Sequence, residues 1–295
     1  MNRFTKLIVF IVFVFCLGKS QAQSDISFTE QANFTSYLIN NSEYKDALYV
    51  LRQIKESLIS TDQLDSLNYL KGWSYYNMKA VDSSAVYLQK VSIASSFYHK
   101  SKFYSAFDIA FGKKYSEASA LLESISLVSN DSTNSLQQLL NYEKSAMALL
   151  TRNYNAFDTL SKNFTYSYFP ISIEEKCFVE NYKKMKSFKD KSPLLAGLMS
   201  AVIPGSGKWY AGNKGQALAA LFTVSAMAAA TAESYIRGGY KSPSFIAFGS
   251  VFTIFYVGNI WGSVLSVKIR KDAFYKEMDR NIMLDMHIPL RRVFN

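Results

Sequence analysis

The chain has 295 residues, 49% of them hydrophobic and 15% aromatic, which is ample for a packed core and too apolar for a disordered chain. Its formal charge of +10 is unevenly spread: residues 182–295 hold 16 of the 33 Lys/Arg and 6 of the 23 Asp/Glu, and residues 1–181 balance at 17 of each. A basic excess that flanks apolar segments points to lipid headgroups or to the setting of membrane topology, so membrane lipid is an expected partner and nucleic acid is not.

Residues 1–22 read as an export signal. Arg3 and Lys6 form a short basic start, Leu7 to Leu17 an apolar run, and Ser20-Gln21-Ala22 a small-x-small cleavage site before Gln23. The run is too short to span a bilayer. Bulky Val14-Phe15 ahead of Cys16 argues against lipid attachment at that cysteine, so cleavage after Ala22 is expected. Cys177 is then the only mature thiol, which excludes an intrachain disulfide and reads as a small hydrophobe on a helix. His99 and His287 are far apart, which gives no basis for a histidine zinc site or a Ser/His/Asp triad. Glu174-Glu175 and Asp272 with Glu277 read as solvated helix faces rather than paired catalytic carboxylates. No cofactor, metal or enzymatic activity is expected.

Residues 23–184 read as one domain of consecutive amphipathic helices with short polar turns and almost no proline. Four motifs align within it: Tyr44-x-x-Ala47, Val81-x-x-Ser84, Tyr115-x-x-Ala118 and Tyr154-x-x-Phe157. Nine residues before the anchors stand the small residues Thr35, Gly72, Ala106 and Ser145. Six before stand Leu38, Tyr75, Ile109 and Ala148, and seven after stand Leu51, Leu88, Leu122 and Ser161. Small residues suit a close crossing of two helices and larger ones fill the space between hairpins.

The spacing brackets the period of the tetratricopeptide family, and the unit LNYLKGWSYYNMKAVDSSAVYLQKV resembles it through Gly72, Tyr75 and Ser84. Phe157 departs from the pattern, where a small residue is expected. The resemblance implies an α-solenoid whose groove binds a protein or peptide. Carried onto this chain, the groove face selects Tyr69, Trp73, Tyr76, Phe103, Phe107 and Tyr142 as partner-binding residues.

Residues 185–192 form a basic linker that completes a run of Lys183, Lys184, Lys186, Lys189 and Lys191, and residues 193–267 form an apolar module. The module divides into a half-helix at 193–203 and two stretches, 215–236 and 244–267, each long enough to span a bilayer. Gly258, Gly262 and Ser266 recur every fourth residue, and the first stretch carries Ser225, Ala226, Ala229 and Ala230, so close helix packing through these residues is expected, with a homo-oligomer as one outcome. Asn259 is expected to hydrogen-bond inside the protein. Gly205-Ser206-Gly207-Lys208 fails as a phosphate loop, because Trp209 stands where Ser or Thr must ligate magnesium and Val202 replaces the first glycine. Pro204, Gly205, Gly207, Tyr210 and Gly212 instead fill the Pro-Gly-x-Gly-x-x-Tyr-x-Gly signature, and the segment is similar to two-transmembrane hairpin modules of bacterial proteins. These glycines should turn the chain at the membrane interface, where Trp209 and Tyr210 can anchor. Two and three crossings both remain open. Residues 268–295 carry Ile269, Phe274, Met278 and Ile282 on one helix face, an expected interfacial amphipathic tail.

The sequence thus predicts an all-α protein: a tetratricopeptide-like α-solenoid followed by a transmembrane helical hairpin. The expected setting is the bacterial inner membrane, with the repeats in the periplasm acting as a protein-binding scaffold. The alternative is an accessory factor in membrane-protein biogenesis or transport that acts through the glycine-rich hairpin.

Overall fold

Ser27 opens the first helix with a reciprocal cap: its hydroxyl accepts from the Glu30 N–H at 3.3 Å, and its own N–H donates to the Glu30 carboxylate at 3.0 Å. From there the computed structural model describes residues 27–127 and 133–294. The export segment, residues 1–22, lies outside the described residues. Among the described residues the chain is all helical, without strands. It divides into two compact units, Met1–Val128 and Ser129–Asn295. The boundary therefore falls well before the basic linker, and the fourth motif belongs with the apolar module.

The first unit contains α1 (Phe28–Asn40), α2 (Tyr44–Gln53), α3 (Thr61–Asn77), α4 (Val81–Gln89), α5 (Tyr98–Phe111) and α6 (Tyr115–Glu123), each packed on the next. The second begins with α7 (Thr133–Leu150) and α8 (Tyr154–Leu160). Each of the four anchors is the first residue of a helix, and the residue two before it is left-handed: Ser42 (φ 65°), Lys79 (61°), Lys113 (62°) and Arg152 (61°). Each turn closes with the same pair of backbone bonds, Ser42 N to Ile39 O and Glu43 N to Leu38 O in the first and their counterparts in the others. This is the Schellman arrangement, which satisfies the last carbonyls of the preceding helix.

The motif positions supply the core. Thr35, Ala47, Leu51, Ser84, Leu88, Ala118, Leu122 and Ser145 are fully buried. Gly72 is needed sterically, since a Cβ there would lie 2.6 Å from the Leu88 side chain. Phe157 is buried as well, 4.8 Å from the Tyr182 ring centroid, so the large residue fills space that a small one would leave.

The second unit continues with α9 (Ser172–Ser187), α10 (Pro193–Val202), α11 (Ser206–Ala211), α12 (Lys214–Gly238) and α13 (Pro243–Phe294). Glu174 and Glu175 are not solvated, contrary to the sequence expectation. Both are buried: Glu174 pairs with Arg292 at 2.9 Å and Glu175 accepts from the Tyr166 N–H at 2.8 Å. Neutralisation by a cation and a backbone donor is what makes their burial tolerable. Burial raises the Glu175 carboxyl above its ordinary value.

The tail also departs from expectation. Residues 268–294 are not a separate segment but the continuation of α13, which is 52 residues long. Met278, Ile282, Met286 and Leu290, spaced four apart, are buried against α7 and α9 instead of facing a membrane interface. Phe274 stacks on Phe188 at 4.0 Å, and Ile269 points outward at 63% exposure. Polar contacts fix the same face: Arg152 pairs with Asp279 at 2.6 Å, and the Tyr142 hydroxyl donates to the Asp285 carbonyl at 2.8 Å. In the groove the apolar stripe is removed from water while the polar groups beside it keep their partners.

Candidate functional site

Two regions carry the predicted site residues. In the first unit, α3 and α5 place the aromatic set. Tyr69 stacks on Phe97 with centroids 4.1 Å apart, and burial pushes its hydroxyl up to about 12. Trp73 lies 5.0 Å from Tyr76 and meets Tyr104 edge-on at 5.0 Å, while the Lys100 ammonium sits over its ring at 4.1 Å. This cation–π contact is made where burial lowers the Lys100 pKa.

Four of the six predicted partner-binding residues are core. Tyr69, Phe103, Phe107 and Tyr142 are buried, Tyr142 stacked on Phe178 at 4.4 Å. Each ring carries a large apolar area, and flanking helices cover it. Of the six, Trp73 and Tyr76 alone keep exposed edges. Nearby, Asp108 is buried in α5, and loss of water pushes its carboxyl up to about 7.

In the second unit, α10 runs antiparallel to α13. A Cβ on Gly197 would lie 2.9 Å from Val264, the Ser200 and Ser263 hydroxyls are 2.7 Å apart, and the Tyr256 hydroxyl donates to the Ala201 carbonyl at 2.6 Å. The chain then turns at Pro204-Gly205, and α11 brings it back: Lys191 Nζ donates to the Tyr210 carbonyl, and the Ser192 N–H to the Tyr210 hydroxyl at 3.3 Å. Ala196, Ala211 and Val267 close the base as one apolar cluster. The segment 193–212 thus enters and leaves at the same end of the α12–α13 hairpin.

The three glycines of the signature each have a reason in this geometry. Gly205 is left-handed (φ 85°), and a Cβ would lie 2.2 Å from the Ala217 carbonyl oxygen. A Cβ on Gly207 would lie 1.9 Å from the Ala196 carbonyl oxygen, and Gly212 (φ 98°) ends α11. Asn259 bridges the turn: its Oδ1 accepts from the Gly205 N–H at 3.1 Å and its Nδ2 donates to the Ser200 carbonyl at 3.2 Å. The Ser200 hydroxyl accepts in turn from the Gly207 N–H at 2.9 Å. The backbone groups released by the break are therefore met inside an apolar segment.

The expected small-residue packing holds only in part. Asn259 and Ser266 are buried, and Gly262 lies under the aliphatic stem of Lys208. Gly258 has nothing within 4 Å of a Cβ, and Ser225, Ala226 and Ala229 are exposed. Helix α12 instead buries Ala217, Ala220 and Val224, with Ala217 against the turn at Gly205.

Helices α12 and α13 are each long and apolar enough to cross a membrane, and little of their apolar stretches is buried within the protein. Phe222, Ile236, Ile246, Ile254, Val257 and Trp261 all exceed half exposure, an outward apolar face far larger than isolated surface residues make. Cys177 is half-buried, and burial raises its thiol pKa, which keeps it protonated at neutral pH. Comparison with protein-family profiles, curated proteins and solved structures finds no match to this chain.

Proposed function

We propose that this protein is an exported bacterial scaffold, anchored by two crossings of the inner membrane, whose tetratricopeptide-like hairpins hold a protein partner in the periplasm. The observation that carries the anchor is α13, which passes without a break from an exposed apolar stretch into a buried strip under α7 and α9. A 25-residue α12 measures about 37 Å, enough for one crossing of a roughly 30 Å hydrocarbon layer. The return of 193–212 to its own starting end supports a re-entrant turn rather than a third crossing. Trp73 and Tyr76, with Lys100 over the ring, are the partner-binding surface in this reading.

The export pattern of residues 1–22 supports a periplasmic hairpin region, whereas Lys268, Arg270 and Lys271 at the same end as Lys191 favour the reverse orientation under the positive-inside rule. Labelling decides between them. In a background lacking Cys16 and Cys177, Tyr240→Cys and Arg291→Cys should react with an impermeant maleimide from opposite sides, Arg291→Cys from the periplasm. Reaction of both from one side overturns two crossings. For the scaffold, a photocrosslinker at Lys79 should give an adduct that Trp73→Ala/Tyr76→Ala abolishes; an unchanged adduct sinks the aromatic surface. The second reading, an accessory that acts through the hairpin, is favoured by the open face at Gly258.

A further inference from the structure

The α12–α13 hairpin does not close completely on itself. A cleft of about 480 Å³ lies between the two helices, bounded by Lys208 and Gln216 at one end and by Thr223, Ile254 and Phe255 toward the other. Gly258 is its floor, and the missing side chain keeps it open. The volume is in the range that small-molecule sites occupy. We infer that this cleft is a binding site for an anionic phospholipid, with the phosphate on Lys208 and one acyl chain along Ile254 and Phe255. The inference rests on the membrane reading proposed above.

Three observations select this occupant. First, Lys208 has no counter-charge among the described residues. Between Lys191 and Lys271 the only acidic residue is Glu233, which pairs with Arg237 at 2.5 Å near the far end of α12. No ion pair is formed by Lys208 among the described residues, and its Cε and Nζ lie over Gly262, so the ammonium faces the cleft unneutralised. Second, the cleft is graded. Its cation and amide stand where α12 begins, beside Trp209 and Lys214, whose ammonium lies 5.8 Å from the Trp209 ring centre. The opposite end is apolar apart from Thr223 and opens onto the outward face, with Ile254 71% exposed and Phe255 46%. A soluble anion would use only the polar end; a phospholipid matches both. Third, the Asn259 amide is already committed to Gly205 and Ser200, which leaves Lys208 and Gln216 as the polar groups at the Lys208 end of the cleft, with the Thr223 hydroxyl farther along. Basic pockets between membrane helices bind anionic headgroups by this combination of charge and groove.

Native mass spectrometry of the full chain in detergent, titrated with phosphatidylglycerol and with phosphatidylcholine, tests the site. The wild type should retain one phosphatidylglycerol with about a fivefold preference over phosphatidylcholine, the worth of one interfacial cation. Lys208→Gln should remove the preference, Lys208→Arg should keep it, and Lys214→Gln should leave it unchanged. Gly258→Leu, whose Cβ meets nothing within 4 Å, projects a side chain into the cleft and should lower retention of both lipids. Equal retention by the wild type, or a preference that survives Lys208→Gln, overturns the site. A dimer that Gly258→Leu abolishes assigns the cleft to a second copy of the chain and overturns it too. Alkaline extraction separates the two levels: release of the chain from membranes defeats the anchor itself, whereas a retained chain without headgroup preference defeats the site alone.

Discussion

The helical hairpins of residues 28–160 and the apolar module of residues 193–267 both need left-handed residues at their turns, and they meet the need differently. The four hairpins use Ser42, Lys79, Lys113 and Arg152, whereas the module uses Gly205 and Gly212. The left-handed conformation costs an L-residue about 1–2 kcal/mol, which an exposed turn with two satisfied carbonyls can carry. At Gly205 the obstacle is not the dihedral alone but the Ala217 carbonyl, where a Cβ has no room. Turns in water can keep their side chains, while a turn folded against two helices must shed them. The module substitutes close backbone approach and an amide bridge for the apolar side chains that hold the hairpins together.

Alanine at the glycines gives the sharpest separation of these two causes. Gly207→Ala drives a Cβ against the Ala196 carbonyl, a backbone atom that cannot swing away, and should lower stability of the detergent-solubilised chain by about 3 kcal/mol. Gly212→Ala meets no atom within 4 Å and bears only the dihedral penalty, about 1–2 kcal/mol. Thermal midpoints of both variants, read by circular dichroism, should fall in that order. Equal losses would mean that the module's glycines are there for backbone freedom rather than for close approach.

The sequence made this module's logic visible because its signature residues are rare types with few other uses. Pro204, Gly205, Gly207 and Gly212 announce a turn, and Asn259 in an apolar stretch announces an internal hydrogen bond. The hairpin anchors were equally legible, since small and apolar residues recur at fixed offsets from Tyr44, Val81, Tyr115 and Tyr154. What the pattern could not resolve is the object each apolar face meets. Met278 and Ile282 suit a lipid interface and a protein groove alike; the continuation of the stripe through Met286 to Leu290, and the carboxylates Asp279 and Asp285 beside it, are the signals that favour the groove. Tyr69, Phe103, Phe107 and Tyr142 failed as a binding strip for a related reason. Helical period fixes which residues share a face, but not whether a neighbouring helix covers that face.

A buried acid gives the hairpins of the first unit a pH response that the apolar module has no counterpart for. The Asp108 carboxyl titrates at about 7 in the folded protein, above its ordinary value of 3.8, because burial disfavours the charged form. Its folded pKa is raised, so the associated stability is fully present below the unfolded value and is lost as pH rises through 7. Between pH 5 and pH 8 the loss should be about 2.5 kcal/mol, since a tenfold difference in proton affinity between the folded and unfolded chain corresponds to about 1.4 kcal/mol. Asp108→Asn keeps the shape without the titration and should reduce that slope in urea melts, leaving the part due to the buried acids of the second unit. An unchanged slope would move the pH response to another group.

The smallest effect tests the turns themselves. If Lys79 holds its left-handed conformation against a steric cost, Lys79→Gly should stabilise the chain even though it removes a side chain. The gain is reduced by the greater freedom of glycine in the unfolded chain, so a net of about 0.5 kcal/mol is expected. The same substitution one residue later, Ala80→Gly, falls at a negative φ of −88° and should destabilise instead. A gain at Lys79 with a loss at Ala80 would show that the exposed turns bear a conformational cost without requiring glycine, whereas Gly205 and Gly207 leave the buried turn no such latitude.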